Sequence, residues 1–396
     1  MHKWMEKVPV SEALDQVVEN SLNQLKFEQK RQRRRRWAAA SGVTAAAFAV
    51  VVVFFGTHPA LASKLPFIGH LFEQVEEDVS YSGKYSERAE ALISAEDAER
   101  MEQGEISDSS YVQTSNGVTV TISEVYCNQY ALYLAMQIYS EEGFPEDFNG
   151  RNMENKNYGY DTVGYYAESD YGNNLFGVSA EPIEGYFENE HTFIGIYRDD
   201  VHKVMDETTN EFVSAPESFT YKLTFYDFWG DSEGGGEVKT VEPDGTESSY
   251  FDEERKHYQG EWHFEMDIQQ DDSQTQIIDV EQVGDAGVGI KEVVKTPYEV
   301  TANLVVPEGK TVDDYMLVIC DADGDILPYQ GDSTFLYNIY QKDTDRVYVF
   351  VCDSDQYFSE LKKYRWDGDY EEKKKEKTFA GYLSEHALAQ AEVTFE

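Results

Sequence analysis

Few residues in this chain have a spacing that could do chemistry, and the clearest group is acidic. The run Asp321-Ala322-Asp323-Gly324-Asp325 places carboxylates at alternate positions around a glycine, as in the first half of a calcium-binding loop. Counted from Asp321, the twelfth residue is Asp332 rather than the Glu of an EF-hand, and Pro328 interrupts the helix that should follow. A simple turn after an apolar strand accounts for the same residues. The sequence therefore favours a turn, with a weak calcium site as the alternative.

Motifs of zinc hydrolases and of nucleotide-binding or redox proteins are absent from the sequence. The histidines form no His-Glu-x-x-His pair, and there is no Gly-x-x-x-x-Gly-Lys and no Cys-x-x-Cys. Acidic residues are so numerous that some carboxylates will lie close together by chance, so acidity is no sign of a glycosidase. The sequence therefore predicts neither an enzyme nor a bound metal or cofactor.

Tyrosines cluster in one stretch rich in Gly, Asn and Asp. Such rings can stack on sugars or pack a peptide, but they can equally cover their own domain, which is the interpretation that we favour. The cluster comprises Tyr158, Tyr160, Tyr165, Tyr166 and Tyr171.

The chain has three cysteines, all after Phe55. Cys320 and Cys352 each end an apolar run and precede an Asp, so they could face each other on neighbouring strands and form a disulfide. Two buried thiols are the alternative, and Cys127 has no partner under either interpretation.

The elements that position these residues are organised around one apolar stretch. Trp37–Phe55 contains no charged residue, and as a helix it would span about 28 Å, close to the thickness of a bilayer's hydrocarbon core. A basic run precedes it, which by the positive-inside rule keeps the N-terminal side in the cytoplasm. The predicted membrane-interface residues are Arg33, Arg34, Arg35, Arg36 and Trp37.

A cleaved signal peptide is the competing interpretation, because Ala60-Leu61-Ala62 before Ser63 resembles a signal-peptidase site. The apolar run is longer than a signal peptide usually has, and 36 residues precede it. We therefore expect a single-pass protein of the cell membrane, with its N-terminus in the cytoplasm and everything after Phe55 outside.

An amphipathic helix is predicted before the membrane, beginning near Ser11. Nothing else in this short segment can bury its apolar stripe, so the stripe should contact a partner protein. The membrane surface and a simple frayed helix are the alternatives. The stripe consists of Leu14, Val17, Val18, Leu22 and Leu25.

Charge changes sign across the predicted membrane helix. Residues 1–36 carry nine basic and five acidic residues, whereas the part after Phe55 carries 24 basic and 71 acidic residues. An exterior with this charge repels nucleic acid, so DNA binding by the exterior is not expected.

The exterior is predicted to be mainly β. Val118, Val120 and Ile122 alternate with polar residues, as do Leu132–Ile138, which indicates a hairpin with one buried face. Further short strand-like runs, among them Gln276–Val283 and Tyr315–Cys320, follow at regular spacing without a helical period between them. They predict two antiparallel, immunoglobulin-like β-sandwich domains. The predicted organisation is a cytoplasmic segment (1–36), a transmembrane helix (37–55), a juxtamembrane helix and stalk (56–110, with the stalk at 80–110), a first sandwich (111–230), a linker or long hairpin loop (231–256) and a second sandwich (257–396).

This layout resembles a family of single-pass, anti-sigma-factor-like regulators of Gram-positive bacteria. The resemblance is carried by Lys7-Val8-Pro9, the helix from Ser11, the basic run into Trp37, Leu65–Phe72, Asn116–Ile122 and Gly260–Phe264. It implies that the cytoplasmic segment holds an extracytoplasmic-function sigma factor inactive, with the stripe residues facing that factor.

Two functions are therefore expected from different classes. The first is a membrane-anchored anti-sigma-type regulator whose exterior senses an envelope signal or an unknown ligand. The second is a surface-anchored binding module for a glycan, a peptide or a cell-wall polymer, without a role in transcription. Ser41-Gly42 and Ala45–Ala47 would permit two membrane helices to pair closely, as in a homodimer.

Overall fold

The computed structural model describes residues 70–102, 110–146, 148, 160–177, 182–241, 247–330, 335–366 and 368–395. Within these ranges no helix has both the length and the apolar character needed to cross a bilayer. The predicted transmembrane helix, the cytoplasmic stripe and the basic run before the membrane lie outside the described residues and stay predictions.

Strands dominate the described residues, and every strand pair among them is antiparallel, which confirms the prediction of a mainly β, antiparallel protein. The strands are β1 Glu90–Ala91, β2 Val112–Ser115, β3 Val118–Cys127, β4 Ala131–Ser140, β5 Asp161–Gly172, β6 Leu175–Phe176, β7 Ile183–Phe187, β8 Thr192–Asp200, β9 Val204–Asp206, β10 Glu211–Val213, β11 Ser218–Val241, β12 Glu247–Gln269, β13 Gln276–Val283, β14 Gly289–Lys295, β15 Glu299–Val305, β16 Tyr315–Cys320, β17 Tyr337–Asn338, β18 Arg346–Asp353 and β19 Ala389–Thr394. The helices are α1 Leu71–Val75, α2 Ala95–Glu102, α3 Ser354–Gln356, α4 Lys363–Trp366, α5 Tyr370–Lys373 and α6 Phe379–Leu383, with 3-10 turns at Tyr85–Glu87 and Val312–Asp314 and a π-helical turn at Tyr357–Leu361.

Residues 110–269, the first β region, contain most of a twelve-stranded sheet. Its main path runs β1-β3-β4-β8-β7-β5-β6-β9-β10, and β5 also pairs with β11, which pairs with β12. Apolar residues of β3 and β4 share one core with those of β11 and β12. The Trp262 Nε1 donates to the Val118 carbonyl at 3.0 Å across this core, so the two halves of the sheet face each other.

The hairpin of β3 and β4 is confirmed, but it has two buried faces instead of the one predicted. All ten residues of each strand are buried. Period-two alternation marks the side that is apolar, whereas burial of the polar side depends on another segment covering it. Here residues 71–85 contribute to that cover.

The long strand β12 belongs to the first β region. It pairs with β11 from Ser218↔Gln269 to Val241↔Glu247, so residues 231–256 lie largely in a long hairpin. Trp262, Phe264 and Met266 are buried in the first core, although the sequence interpretation placed them at the start of the second block. Their alternation is correctly read as a strand, but alternation does not say which core the strand covers.

Residues 276–395, the second β region, form three layers. A four-stranded sheet (β13-β14-β15-β17) packs on a three-stranded sheet (β16-β18-β19), and Val293, Val300, Leu317 and Val349 lie in the core between them. Helical turns between Ser354 and Leu383 cover the other face of the three-stranded sheet. The sequence interpretation missed this helical layer, because each piece is too short to produce a helical period.

Candidate functional site: the connecting segment

Residues 70–93, here called the connecting segment, join the predicted membrane helix to the first β region. Helix α1 places Leu71, Phe72 and Val75 in a cluster with Ile194 and Ile196, and all five are fully buried. The Phe72 N–H donates to Glu124 Oε2 at 2.9 Å, which supplies an acceptor for one of the unpaired amides at the start of the helix.

The turn after α1 is closed by a buried carboxylate. Glu76 is 2 % exposed and accepts hydrogen bonds from the Ser86 amide at 2.8 Å and from the Ser86 hydroxyl at 2.9 Å. The Lys84 Nζ lies 3.4 Å from the same carboxylate. A Cβ on Gly83 would lie 2.9 Å from ring atoms of both Tyr298 and Tyr85, so only glycine fits at this position.

Stacked tyrosines hold the middle of the connecting segment. Tyr85 is fully buried, with its ring 4.5 Å from that of Tyr133 and 4.6 Å from that of Tyr298. The Tyr81 hydroxyl donates to the Ile196 carbonyl at 2.8 Å. Tyr133 and Ile196 belong to the first β region and Tyr298 to the second, so the segment lies between the two.

Hydrogen bonds from the second β region reach the backbone of the same segment. The Tyr298 hydroxyl donates to the Lys84 carbonyl at 2.5 Å, and Asn338 Nδ2 donates to the Ser82 carbonyl at 2.7 Å. Arg88 forms an ion pair with Asp271, in the short link between the two regions. These contacts contradict the prediction of a stalk for residues 80–93, because a stalk has no tertiary partner.

A buried carboxylate, Glu299, joins the first and second β regions directly. It is fully buried at the start of β15 and accepts hydrogen bonds from Asn128 Nδ2 at 2.9 Å and from the Tyr133 and Thr296 hydroxyls. Burial raises the pKa of Tyr133, and the Glu299 charge raises it further. The phenol therefore stays protonated and is the donor in its hydrogen bond to Glu299. The neighbouring Arg198, paired with Asp200 at 2.8 Å, supplies a positive charge.

A second buried carboxylate explains part of the tyrosine cluster. Asp199 is 1 % exposed and accepts from Tyr171 at 2.6 Å, from Tyr221 at 2.7 Å and from Tyr197 at 3.1 Å. Tyr171 therefore packs its own domain, as the favoured interpretation predicts. Tyr166 remains 51 % exposed, whereas Tyr158 lies outside the described residues.

The acidic run after β16 is a turn, as the sequence favours. Asp321 Oδ1 accepts from the amides of Asp323 at 3.1 Å and Asp325 at 2.9 Å. Asp325 is bound by the Tyr370 hydroxyl at 2.8 Å and by the Lys374 ammonium, which already supplies a positive charge there. No group of three or more His, Cys, Asp or Glu in the described ranges is arranged to hold a metal ion.

The three cysteines are free thiols, and all are buried. Cys352 pairs with Met316 and Cys320 with Tyr348 in the ladder of β16 and β18. The two thiols are therefore offset by four positions, roughly 13 Å along the strands, which is too far for a disulfide. Of the two alternatives left open by the sequence, the structure contains the buried thiols.

The sequence interpretation missed the residues that hold the connecting segment. Tyr85 is far along the chain from the adjacent pair Tyr298 and Glu299, and only Glu299 carries a local signal. It is a charged residue inside the apolar run Tyr298–Val300, which is unusual for a strand unless the charge has partners.

Part of the chain matches a known protein family. Residues 32–140 match the family described as "Domain of unknown function (DUF4179)". The match begins in the basic run, contains Trp37–Phe55 and the connecting segment, and ends with β4. No curated protein matches the chain.

One solved structure is similar to the chain and is described as "The crystal structure of the conserved domain protein from Bacillus anthracis". The two share 14% sequence identity over 68% of this chain and 78% of that one, with a TM-score of 0.31.

Proposed function

We propose that this protein is a membrane-anchored anti-sigma-type transcription regulator. Residues 1–36 lie in the cytoplasm and sequester an extracytoplasmic-function sigma factor, and residues 37–55 cross the membrane once. The exterior senses an envelope signal through two β-sandwich domains of immunoglobulin-like type. The proposal joins the predicted membrane topology to the position of the connecting segment.

The observation that carries the proposal is that the connecting segment contacts both β regions. Only residues 56–69 separate Phe55 from His70, so the segment is the first described part of the chain after the predicted membrane helix. Tyr85 packs on Tyr133 and on Tyr298 at once. A ligand that shifts one β region relative to the other therefore displaces the chain that leads to the membrane.

The same contacts suggest how an exterior signal could release the sigma factor. A single membrane helix conveys rotation or displacement poorly, so release of the sigma factor by proteolysis or by a change in oligomeric state is the mechanism that we propose. A connecting segment buried between two β regions is protected from proteases. Loosening of these contacts by the signal would expose it.

The cytoplasmic stripe supplies the energy for binding the sigma factor. Five buried side chains of this type contribute a gross free energy of about 10 kcal/mol, from which association subtracts several kcal/mol. Micromolar affinity is the expected result. The stripe would lie in a groove of the sigma factor as an amphipathic helix does.

The test is capture of a sigma factor by the full-length protein from solubilised membranes. We expect the wild-type protein to retain an identified sigma factor, and the double substitution Val18→Asp with Leu22→Asp to abolish retention. The matched control is Asn20→Asp with Asn23→Asp, which adds the same charge on the opposite side of the predicted helix and should retain the factor.

Either of two results would overturn the proposal: no sigma factor in the captured material, or unchanged capture by the stripe variant. Deletion of residues 8–30 separates the regulator from a simple surface anchor. An anchor would leave the transcription profile unchanged after this deletion, whereas a regulator would release its target genes from repression.

A further inference from the structure

The second β region contains a groove that the proposed function does not use. It has a volume of about 650 Å³ and opens on the outer face of the three-stranded sheet, beside helix α6. Its floor is formed by Tyr348 and Phe350 of β18 and by Gln390 and Glu392 of β19. Tyr348 lies opposite Glu392 and Phe350 opposite Gln390 in the antiparallel ladder, so the four side chains share this face.

The walls of the groove are held by hydrogen bonds between a turn and a helix. The Ala380 amide donates to the Gly324 carbonyl at 3.0 Å, which joins the turn after β16 to α6. Gly324 has a φ of 81°, and a Cβ there would lie 2.6 Å from Thr378 Oγ1. The same Thr378 hydroxyl accepts from the Gly381 amide at 3.1 Å. Glycine is therefore required at this position, and the groove is formed before any ligand arrives.

The charges that line the groove exclude an anionic ligand. Asp323 is exposed in the turn at one side of the groove and Glu392 is exposed on its floor, and the lining side chains include no Lys, Arg or His. Arg346 does not line the groove, but its guanidinium is paired with Glu392 at 3.5 Å and lies 5.5 Å from the centroid of the Tyr348 ring. A phosphate or carboxylate ligand would therefore meet the Asp323 charge and no cationic lining side chain. A ligand with hydroxyl donors would find two charged acceptors instead.

The remaining lining groups are an aromatic ring, amides and hydroxyls. Tyr348 is half-buried and presents part of its ring to the groove, whereas Phe350 is buried beneath α6. Gln282 and Gln390 are exposed and can both donate and accept hydrogen bonds. A pyranose has an apolar C–H face and hydroxyls around its edge. The aromatic ring matches the apolar face, and the surrounding uncharged donors and charged acceptors match the hydroxyls.

We propose that this groove binds a short, uncharged glycan. One sugar ring stacks on Tyr348, its hydroxyls donate to Asp323 and Glu392, and the glutamine amides contact the ring substituents. This site concerns the exterior alone, and it would bind its ligand whether or not the cytoplasmic segment holds a sigma factor.

The test is calorimetric titration of the full-length protein in a detergent that has no sugar headgroup. The uncharged probes are chitotriose and cellotriose, the anionic probe is trigalacturonate and the cationic probe is trilysine. We expect at least one uncharged trisaccharide to bind at millimolar concentration or below. Tyr348→Ala should weaken that binding about tenfold. Asp323→Asn with Glu392→Gln, which changes only exposed side chains, should weaken it several-fold and leave thermal unfolding unchanged.

Tyr166→Ala is the matched control, because it makes the same substitution at an exposed tyrosine of the first β region. It should leave glycan binding unchanged. The proposal is overturned if neither uncharged probe binds, or if binding survives both groove variants. It is also overturned if the groove variants remove binding of trilysine rather than of a glycan, since the site would then recognise cationic peptides.

Discussion

The ring of Tyr85 lies edge-on against the ring of Tyr298, with 4.6 Å between the two centroids. Because Tyr298 precedes β15, this pair fastens the connecting segment to the second β region. Tyr85→Ala should lower the free energy of unfolding by about 3 to 5 kcal/mol, since a fully buried aromatic side chain is lost. Tyr85→Phe keeps the ring and loses the hydrogen bond to the Tyr81 carbonyl, so it should cost about 1 kcal/mol. Urea unfolding of the two variants, monitored by tryptophan fluorescence, measures both losses of unfolding free energy. Equal losses would show that the ring contact contributes nothing.

The connecting segment should resist trypsin, although it contains two cleavage sites. Lys84 and Arg88 lie in backbone that is hydrogen-bonded to Tyr298 and Glu76. We expect mass spectrometry of a limited digest to show no early cut after either residue in the wild-type protein. Tyr85→Ala should make both sites accessible. Early cleavage of the wild-type protein at Arg88 would contradict the packing of the segment and would support a stalk.

Removal of the Glu299 carboxylate should destabilise the contact between the two β regions. Glu299→Ala leaves Tyr133 and Asn128 without their acceptor, and the expected loss is about 3 to 5 kcal/mol of unfolding free energy. Glu299→Gln retains an acceptor and should lose less. The exposed Glu308→Gln is the control and should change stability by less than about 0.5 kcal/mol. Denaturant titration decides between these outcomes.

Glu124 should make the stability of the first β region depend on pH. Burial raises the pKa of Glu124 above its ordinary value of 4.5, although the Phe72 amide and His70 act in the opposite direction. Between pH 4.5 and the raised pKa, the folded protein binds more protons than the unfolded chain. The contribution of Glu124 to the unfolding free energy therefore increases as the pH falls through this window. Glu124→Gln should remove that contribution, and the exposed Glu141→Gln should keep it. The prediction is wrong if the unfolding free energy of the wild-type protein, relative to that of Glu124→Gln, decreases as the pH falls through this window.

All three thiols should be unreactive until the protein unfolds. Burial raises the pKa of Cys352 to about 12 and that of Cys320 and Cys127 well above the ordinary value, so little thiolate forms at neutral pH. We expect no alkylation in the native state, and three alkyl groups per chain after unfolding without a reductant. The addition of a single group would reveal a disulfide.

Several local features of this protein follow from sequence alone. The short strand-like runs in the sequence predict strands at Gln276–Val283 and Tyr315–Cys320, which are the bounds of β13 and β16 in the structure. The cap at the start of α2 is likewise local, with the Asp97 amide donating to the Ser94 hydroxyl at 3.1 Å. Patterns of this kind are readable because neighbours along the chain satisfy one another's hydrogen bonds and share one face.

The tertiary structure alone decided where these elements pack. Strand β12 covers the first core, residues 80–93 lie between the β regions instead of forming a stalk, and Glu299 is buried with three donors. Each of these depends on contacts between residues more than a hundred positions apart, which no local period encodes. Trp37–Phe55 and the cytoplasmic stripe lie outside the described residues, so the membrane topology is still what hydropathy and charge predict.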